Sequence, residues 1–219
     1  MYIHKSIGFL KGNDSPVHPD IIEPTHKKGR ESQDRIVRAT LALIESTPFD
    51  QLTIASIMEE AGMAVGTFYR RFKSKEGVLP FVFKAYDDLF ENWAEGFATA
   101  KPVTQEAMIE LVVRRTAQLY SKHAGLIRTV HLYERLHPDM RKSKAERRKL
   151  YDLFGMVLAK DIDHPTREDQ IRGRMAMLTM VSVMTEHFLY NEHSPASTTN
   201  LRNKDIQDLL TRIIKALKA

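Results

Sequence analysis

The sequence predicts an all-α protein of about nine helices. Apolar residues recur at helical spacing along most of the chain, and no alternating strand pattern of useful length occurs. Pro102, Gly125, Pro138, Pro165 and Pro195 divide the pattern into helix-length segments. At 219 residues the chain holds either one large domain or two small ones, each with room for a core. There is no internal repeat.

Residues 1–29 mix Pro, Gly, His and Asn without a period and are expected to form a flexible leader. A first helix begins near Glu31, with Ile36, Thr40, Leu43 and Ile44 on one face, and ends before Pro48. Thr53 is a good N-cap for a short second helix carrying Ile54, Ile57 and Met58, which Gly62 terminates in the left-handed region. A third helix is expected over about Val65 to Phe72. At about 100° per residue it places Val65, Phe68, Tyr69 and Phe72 on a packing face and Thr67, Arg70 and Arg71 on the other. Ser74 caps a fourth helix, with Glu76 near its positive end. Pro80 falls inside that helix, lacks a donor for the Glu76 carbonyl and is expected to kink it; Gly77 and Pro80 together form a possible pivot. Further helices are expected at about 104–121, 126–136, 139–160, 167–191 and 203–218.

The formal charge of +5 is modest, but it is locally distributed. Val65 to Lys75 carries four cations (Arg70, Arg71, Lys73, Lys75) and no acid, whereas Asp87 to Glu95 carries four acids and no cation. Cysteine is absent, so disulfides and thiolate metal sites are excluded, which suits a reducing cytoplasm. No signal-peptide core and no apolar run of about 18 residues occurs, so neither secretion nor a membrane span is expected.

Two short helices joined by a glycine turn, the second basic and facing outward, are what a helix-turn-helix requires. The second enters a major groove roughly 12 Å wide while the first crosses the backbone. Phe49, Thr53, Ile57, Ala61-Gly62, Gly66-Thr67-Phe68-Tyr69, Phe72 and Lys73-Ser74-Lys75-Glu76 carry a specific resemblance to the DNA-binding motif of the TetR/AcrR family of bacterial transcription regulators. It covers about residues 31–92; the later helices agree in number and order only.

The resemblance implies a helix-turn-helix domain over 30–76 and a helical effector-binding and dimerisation domain over 77–219. Thr53 and Tyr69 would donate to phosphates, Lys75 would hold another phosphate, and Thr67 would lie at the groove. Ala64, Val65 and Gly66 would present the helix N-terminus to base edges, and Arg70 and Arg71 would reach phosphate or a guanine edge. Ala64 departs from the serine common in the family, removing a side-chain cap. Met58 replaces a usual alanine, which calls for wider packing, and Val65 offers apolar contact to a thymine methyl.

The stripe Met175, Leu178, Ser182, Thr185 and Leu189, with Ile206, Leu210, Ile213 and Leu217 on the last helix, reads either as intrachain core or, by the resemblance, as a four-helix homodimer interface. Trp93, Phe97, Met108, Tyr120, Tyr133, Tyr151, Phe154, Met177 and Met184 supply adaptable apolar surface for core or for a hydrophobic or aromatic effector. The basic run Arg141–Lys149 reads as a solvated helix face rather than a second anion site. His131, Glu134 and His137, and the Glu-His pairs at 186–187 and 192–193, match no established metal-ligand pattern. The reading is therefore a cytoplasmic, homodimeric repressor without cofactor or metal, released from a palindromic DNA operator by a small effector. The rivals are an effector-independent architectural DNA-binding protein and a helical enzyme, for which no convincing nucleophile–base pair is present.

Overall fold

The computed structural model describes residues 16–98, 104–137, 166–190 and 201–218. The α-helices are α1 (Lys27–Leu43), α2 (Ile54–Glu60), α3 (Leu79–Ala98), α4 (Gln105–Lys122), α5 (Ala124–Leu136), α6 (Arg167–Leu189) and α7 (Asn203–Lys218). Short 3₁₀ segments occupy Phe49–Gln51, Val65–Arg70 and Lys75–Val78. The helix expected over 139–160 and the basic run Arg141–Lys149 lie outside the described residues. No described helix is long and apolar enough to cross a membrane.

Packing divides the chain into two units. The first joins residues up to Glu91 with the segment from Gly125, and the second joins Asn92–Ala124 with the C-terminal helices. The core of the first unit is built from Ile36 and Ile44 of α1, Phe49, Ile57 and Met58, Phe68 and Phe72, Leu79 and Val82, and Val130 of α5. The helical spacing of these residues in α1 and α2 turns one stripe inward. Met58, bulky at its position, is fully buried.

Two features join α1 to α5 in this unit. The backbone amide of Gly125 donates to Glu45 Oε2 at 2.9 Å, and a Cβ on Gly125 would stand 1.9 Å from the Ile44 carbonyl oxygen. Only a glycine permits this approach, because any side chain overlaps backbone that cannot swing aside. Burial raises the Glu45 carboxyl above its ordinary range, against the lowering effect of the Gly125 and Leu126 amides.

Three expectations need correction. The leader enters the fold within its expected span: Ile21 is buried and forms an isolated antiparallel bridge with Phe72, and α1 begins at Lys27. A segment without internal period becomes fixed when a neighbour offers backbone partners, which periodicity does not register. The third helix is a 3₁₀ segment with Phe68 and Phe72 buried but Val65 and Tyr69 exposed, so only half of the expected packing face packs. A six-residue helix has little interior, and its ends turn away from the core. Finally, Pro80 stands in the first turn of α3, where an amide would have no intrahelical acceptor, so it introduces no interior break. The Glu76 carbonyl accepts from the Leu79 amide.

In the second unit α4, α6 and α7 pack on one another. Thr104 and Thr166 cap α4 and α6, the latter through a capping box with Asp169. His123, which closes the C-terminus of α4, is buried, and burial followed by the neighbouring Lys122 charge lowers its pKa from 6.5 to about 4. The folded protein thus keeps His123 neutral while the unfolded chain protonates it below pH 6.5. Its contribution to stability is complete above that pH and is lost as pH falls towards about 4. Thermal denaturation across this window should show the melting temperature falling with pH, and His123→Gln should flatten the fall; an unchanged slope in the variant would assign it to other groups.

Candidate nucleic-acid interface

The interface is built on the α2–turn–3₁₀ unit. Thr53 Oγ1 accepts from the Ser56 amide at 3.0 Å and Ser56 Oγ accepts from the Thr53 amide at 3.1 Å, so the start of α2 is closed by a reciprocal capping pair. Thr53 remains exposed, and its hydroxyl proton is left over from the cap. At the other end Gly62 adopts φ +62° and turns the chain towards Ala64. Arg35 Nη2 donates to the Ala61 carbonyl at 2.6 Å, which ties this end of α2 to α1.

Ala64 precedes the 3₁₀ segment Val65–Arg70, the candidate recognition helix, with no side-chain cap, leaving its first amides unpaired by any side chain. Phe68 and Phe72 anchor it below, their rings 5.3 Å apart, and Phe72 meets Phe81 edge-on. Above them Ala64, Val65, Gly66, Tyr69 and Arg70 are exposed and Thr67 is half-buried. Arg70 Nη2 donates to Thr67 Oγ1 at 2.9 Å, so these two polar groups act from one place on the surface. A Cβ at Gly66 would meet no atom within 4 Å, and the residue has no positive φ. Nothing inside the fold requires glycine there.

Two expected contacts are placed elsewhere. Lys75 Nζ donates to the carbonyls of Phe49, Asp50 and Leu52 at 3.0, 3.1 and 2.9 Å and sits 5.0 Å from the centroid of the Phe49 ring. An ammonium has three donors, and all are committed to the α1–α2 connection, so none is left for a phosphate. Arg71 likewise turns inward. Its guanidinium lies beside Gly29, Nη1 donates to the Arg70 carbonyl at 3.0 Å, and Nε is buried without an acceptor among the described residues. Of the two arginines only Arg70 is on the outer face.

The candidate effector and dimer residues also separate. Trp93, Phe97, Tyr120, Met177 and Met184 are buried in the second unit and Met108 is half-buried, while Tyr151 and Phe154 lie outside the described residues. Trp93 and Phe97 meet edge-on at 4.8 Å. Tyr133 belongs instead to the first unit, edge-on to Phe49 at 5.2 Å, with burial, then Asp50 and Glu76, raising its phenol pKa. The sequence periodicity of α5 gave no sign of which neighbour this face meets. An open groove of about 430 Å³ lies on the second unit, lined by Gln118, Ser121, Phe188, Asn203 and Gln207 among others, and is a feature that composition did not suggest.

Of the expected dimer stripe, Leu189, Ile206 and Leu210 are buried within the chain and are core. Thr185 and Leu217 are half-buried and Ser182 is exposed. Met175, Leu178 and Ile213 remain 49%, 54% and 36% exposed; Leu209, on the same apolar stripe of α7, is 41% exposed, and Ile171, missed from sequence, joins them at 51%. Among the described residues no three His, Asp or Glu side chains come together as a metal-holding group.

The Lys75 geometry yields a test. Lys75→Ala should lower stability by about 2 kcal/mol through loss of charge-assisted hydrogen bonds, with little change in the salt dependence of any DNA binding. Arg70→Ala should do the reverse, leaving the melting temperature in place and reducing the salt slope by about one unit. Urea denaturation and salt titration of binding distinguish the two.

Comparison with known proteins agrees with this architecture. Residues 36–80 match the family model of bacterial regulatory proteins, tetR family. No curated protein matches the chain. Among solved structures, a TetR-family transcriptional regulator from Mesorhizobium loti is similar at 14% identity and a TM-score of 0.63, covering 88% of this chain and 97% of that one. A TetR transcriptional regulator from Rhodococcus sp. RHA1 is similar at 17% identity and a TM-score of 0.53 over 87% and 97% of the two chains. The fatty acid degradation regulator FadR from Bacillus halodurans is similar at 17% identity and a TM-score of 0.52 over 90% and 97%. Residues 36–80 are thus similar to the tetR family's N-terminal domain, and the fold of the chain is like that of solved TetR-family transcriptional regulators.

Proposed function

We propose that the protein is a homodimeric repressor that binds a near-palindromic operator and leaves it when a small apolar or aromatic molecule binds. The observation that carries the DNA half of this reading is Gly66. It stands in open space on an outward helix face, where alanine would fit the fold, so the missing side chain serves no packing and leaves the helix backbone open to an outside partner. Close approach of that backbone to a groove is a use such an opening allows. In this reading residues 30–76 read DNA, with the amides at Ala64, Val65 and Gly66 and the side chains of Thr67 and Arg70 at the groove and Thr53 and Tyr69 on phosphates. Residues 77–219 hold effector and partner subunit.

The dimer is supported by the apolar stripe Ile171, Met175 and Leu178 on α6 with Leu209 and Ile213 on α7, all exposed at helical spacing. A two-fold axis through such a stripe would present two recognition helices to half-sites about 34–36 Å apart. The effector class rests on the buried aromatic and methionine side chains of the second unit, Trp93, Phe97, Tyr120, Met177 and Met184. DNA and effector then oppose each other through a coupling of typically about 1–3 kcal/mol.

A gel-shift titration with DNA from upstream of the protein's own gene should give a discrete complex at least about 10³-fold tighter than random DNA of equal length. Gly66→Ala should keep or raise the melting temperature and weaken that complex; a variant binding as wild type would remove the main support for this face. Leu178→Asp should sediment as a monomer and lose operator binding, whereas an unchanged oligomer would place the subunit contact elsewhere.

A further inference from the structure

We propose that Asp20–Ile22 is a clamp that holds the recognition helix to the start of α3, which makes Asp20 a positioning residue for DNA binding; the inference rests on the DNA-binding reading above. The clamp is a short antiparallel pairing. The Ile22 amide donates to the Arg71 carbonyl at 2.8 Å and the Lys73 amide donates to the Asp20 carbonyl at 2.9 Å, with Ile21 opposite Phe72. Ile21 is 8% exposed and joins the same apolar cluster as Phe68 and Phe72.

The Asp20 side chain adds a contact of a different kind. Ser74 Oγ donates to Asp20 Oδ2 at 2.9 Å and accepts from the Gly77 amide at 3.2 Å. A hydroxyl has one proton, and spending it on Asp20 turns a lone pair to the Gly77 amide. Asp20 thereby fixes the cap of the 3₁₀ turn that leads into α3. The backbone passes close to Gly77, where a Cβ would stand 3.0 Å from the Asp20 carbonyl oxygen and 3.1 Å from its Cβ, so a side chain there would push Asp20 back by a few tenths of an ångström. Gly77 has no positive φ, so the tightness against Asp20 rather than backbone conformation is what disfavours a side chain.

The contacts fall on Arg71, Phe72, Lys73 and Ser74, the whole connection between the recognition helix, which ends at Arg70, and the turn that starts at Lys75. Holding these residues fixes the angle at which Thr67, Tyr69 and Arg70 leave the surface. A residue far ahead of the helix-turn-helix in sequence therefore governs its geometry. It also gives the expected pivot at Gly77 a different role, because the glycine is pinned under the leader.

The test uses full-length protein as wild type, Asp20→Ala, Asp20→Asn and Gly77→Ala, titrated with the upstream fragment and with random DNA well below each variant's thermal transition. Asp20→Ala should reduce the preference for the upstream fragment about tenfold, the loss of roughly one charge-assisted hydrogen bond. Asp20→Asn, whose amide oxygen still accepts from Ser74, should recover most of it. Gly77→Ala should weaken binding although alanine is the better helix former. Wild-type preference in folded Asp20→Ala and Gly77→Ala proteins overturns the clamp, as does a lower melting temperature with preference unchanged. A wild type that does not distinguish the two DNAs overturns the regulator reading instead.

Discussion

The ammonium of Lys75 is the interaction on which the reader unit depends. It gathers the carbonyls of Phe49, Asp50 and Leu52 in and just after the 3₁₀ turn Phe49–Gln51, and it lies over the Phe49 ring. A cation binding three carbonyls, those of Phe49 and Leu52 partly buried, joins the α1–α2 connection to the turn before α3. Between those tied points the chain makes α2, the glycine turn and the recognition helix. With both ends held, the two short helices keep an angle that helices of their length would not hold alone.

Other contacts close the same unit from its remaining sides. Arg35 caps the end of α2, the Asp20–Ile22 segment pairs beside Phe72, and Gly125 admits α5 against the end of α1. Each uses backbone groups left unpaired at the end of an element, so the polar cost of short helices is met by neighbours rather than by solvent. Phe68 and Phe72 supply the apolar anchor, and replacing either with alanine would cost about 3–5 kcal/mol. The outer face is thereby free of any packing duty, which is why Gly66, Thr67 and Arg70 are available to a partner.

The basic stretch that drew attention in the sequence contains cations of different kinds. Arg70 is exposed beside Thr67, Arg71 is turned beneath the leader, and Lys75 is a structural tie. A local charge density is thus a poor guide to the number of phosphates a surface can neutralise. The apolar stripes divide in a similar way: α7 sends Ile206 and Leu210 inward and Leu209 and Ile213 outward, a split that one helix can make because its circumference serves two neighbours.

Sequence by itself determined the helical class, most helix spans, the Thr53 cap, the Gly62 turn and the helix-turn-helix motif that resembles the tetR family. These depend on local preferences and on spacing within one element, both written in consecutive residues. Phe68 and Phe72 were legible as anchors for that reason. Tertiary structure alone decided that Asp20 reaches Ser74, that Lys75 spends its donors on the 49–52 turn, that Tyr133 packs on Phe49, and that Leu189, Ile206 and Leu210 are core. Those outcomes depend on which distant group arrives beside a side chain. A hydrogen-bond donor or an apolar stripe carries the same local signature whatever meets it.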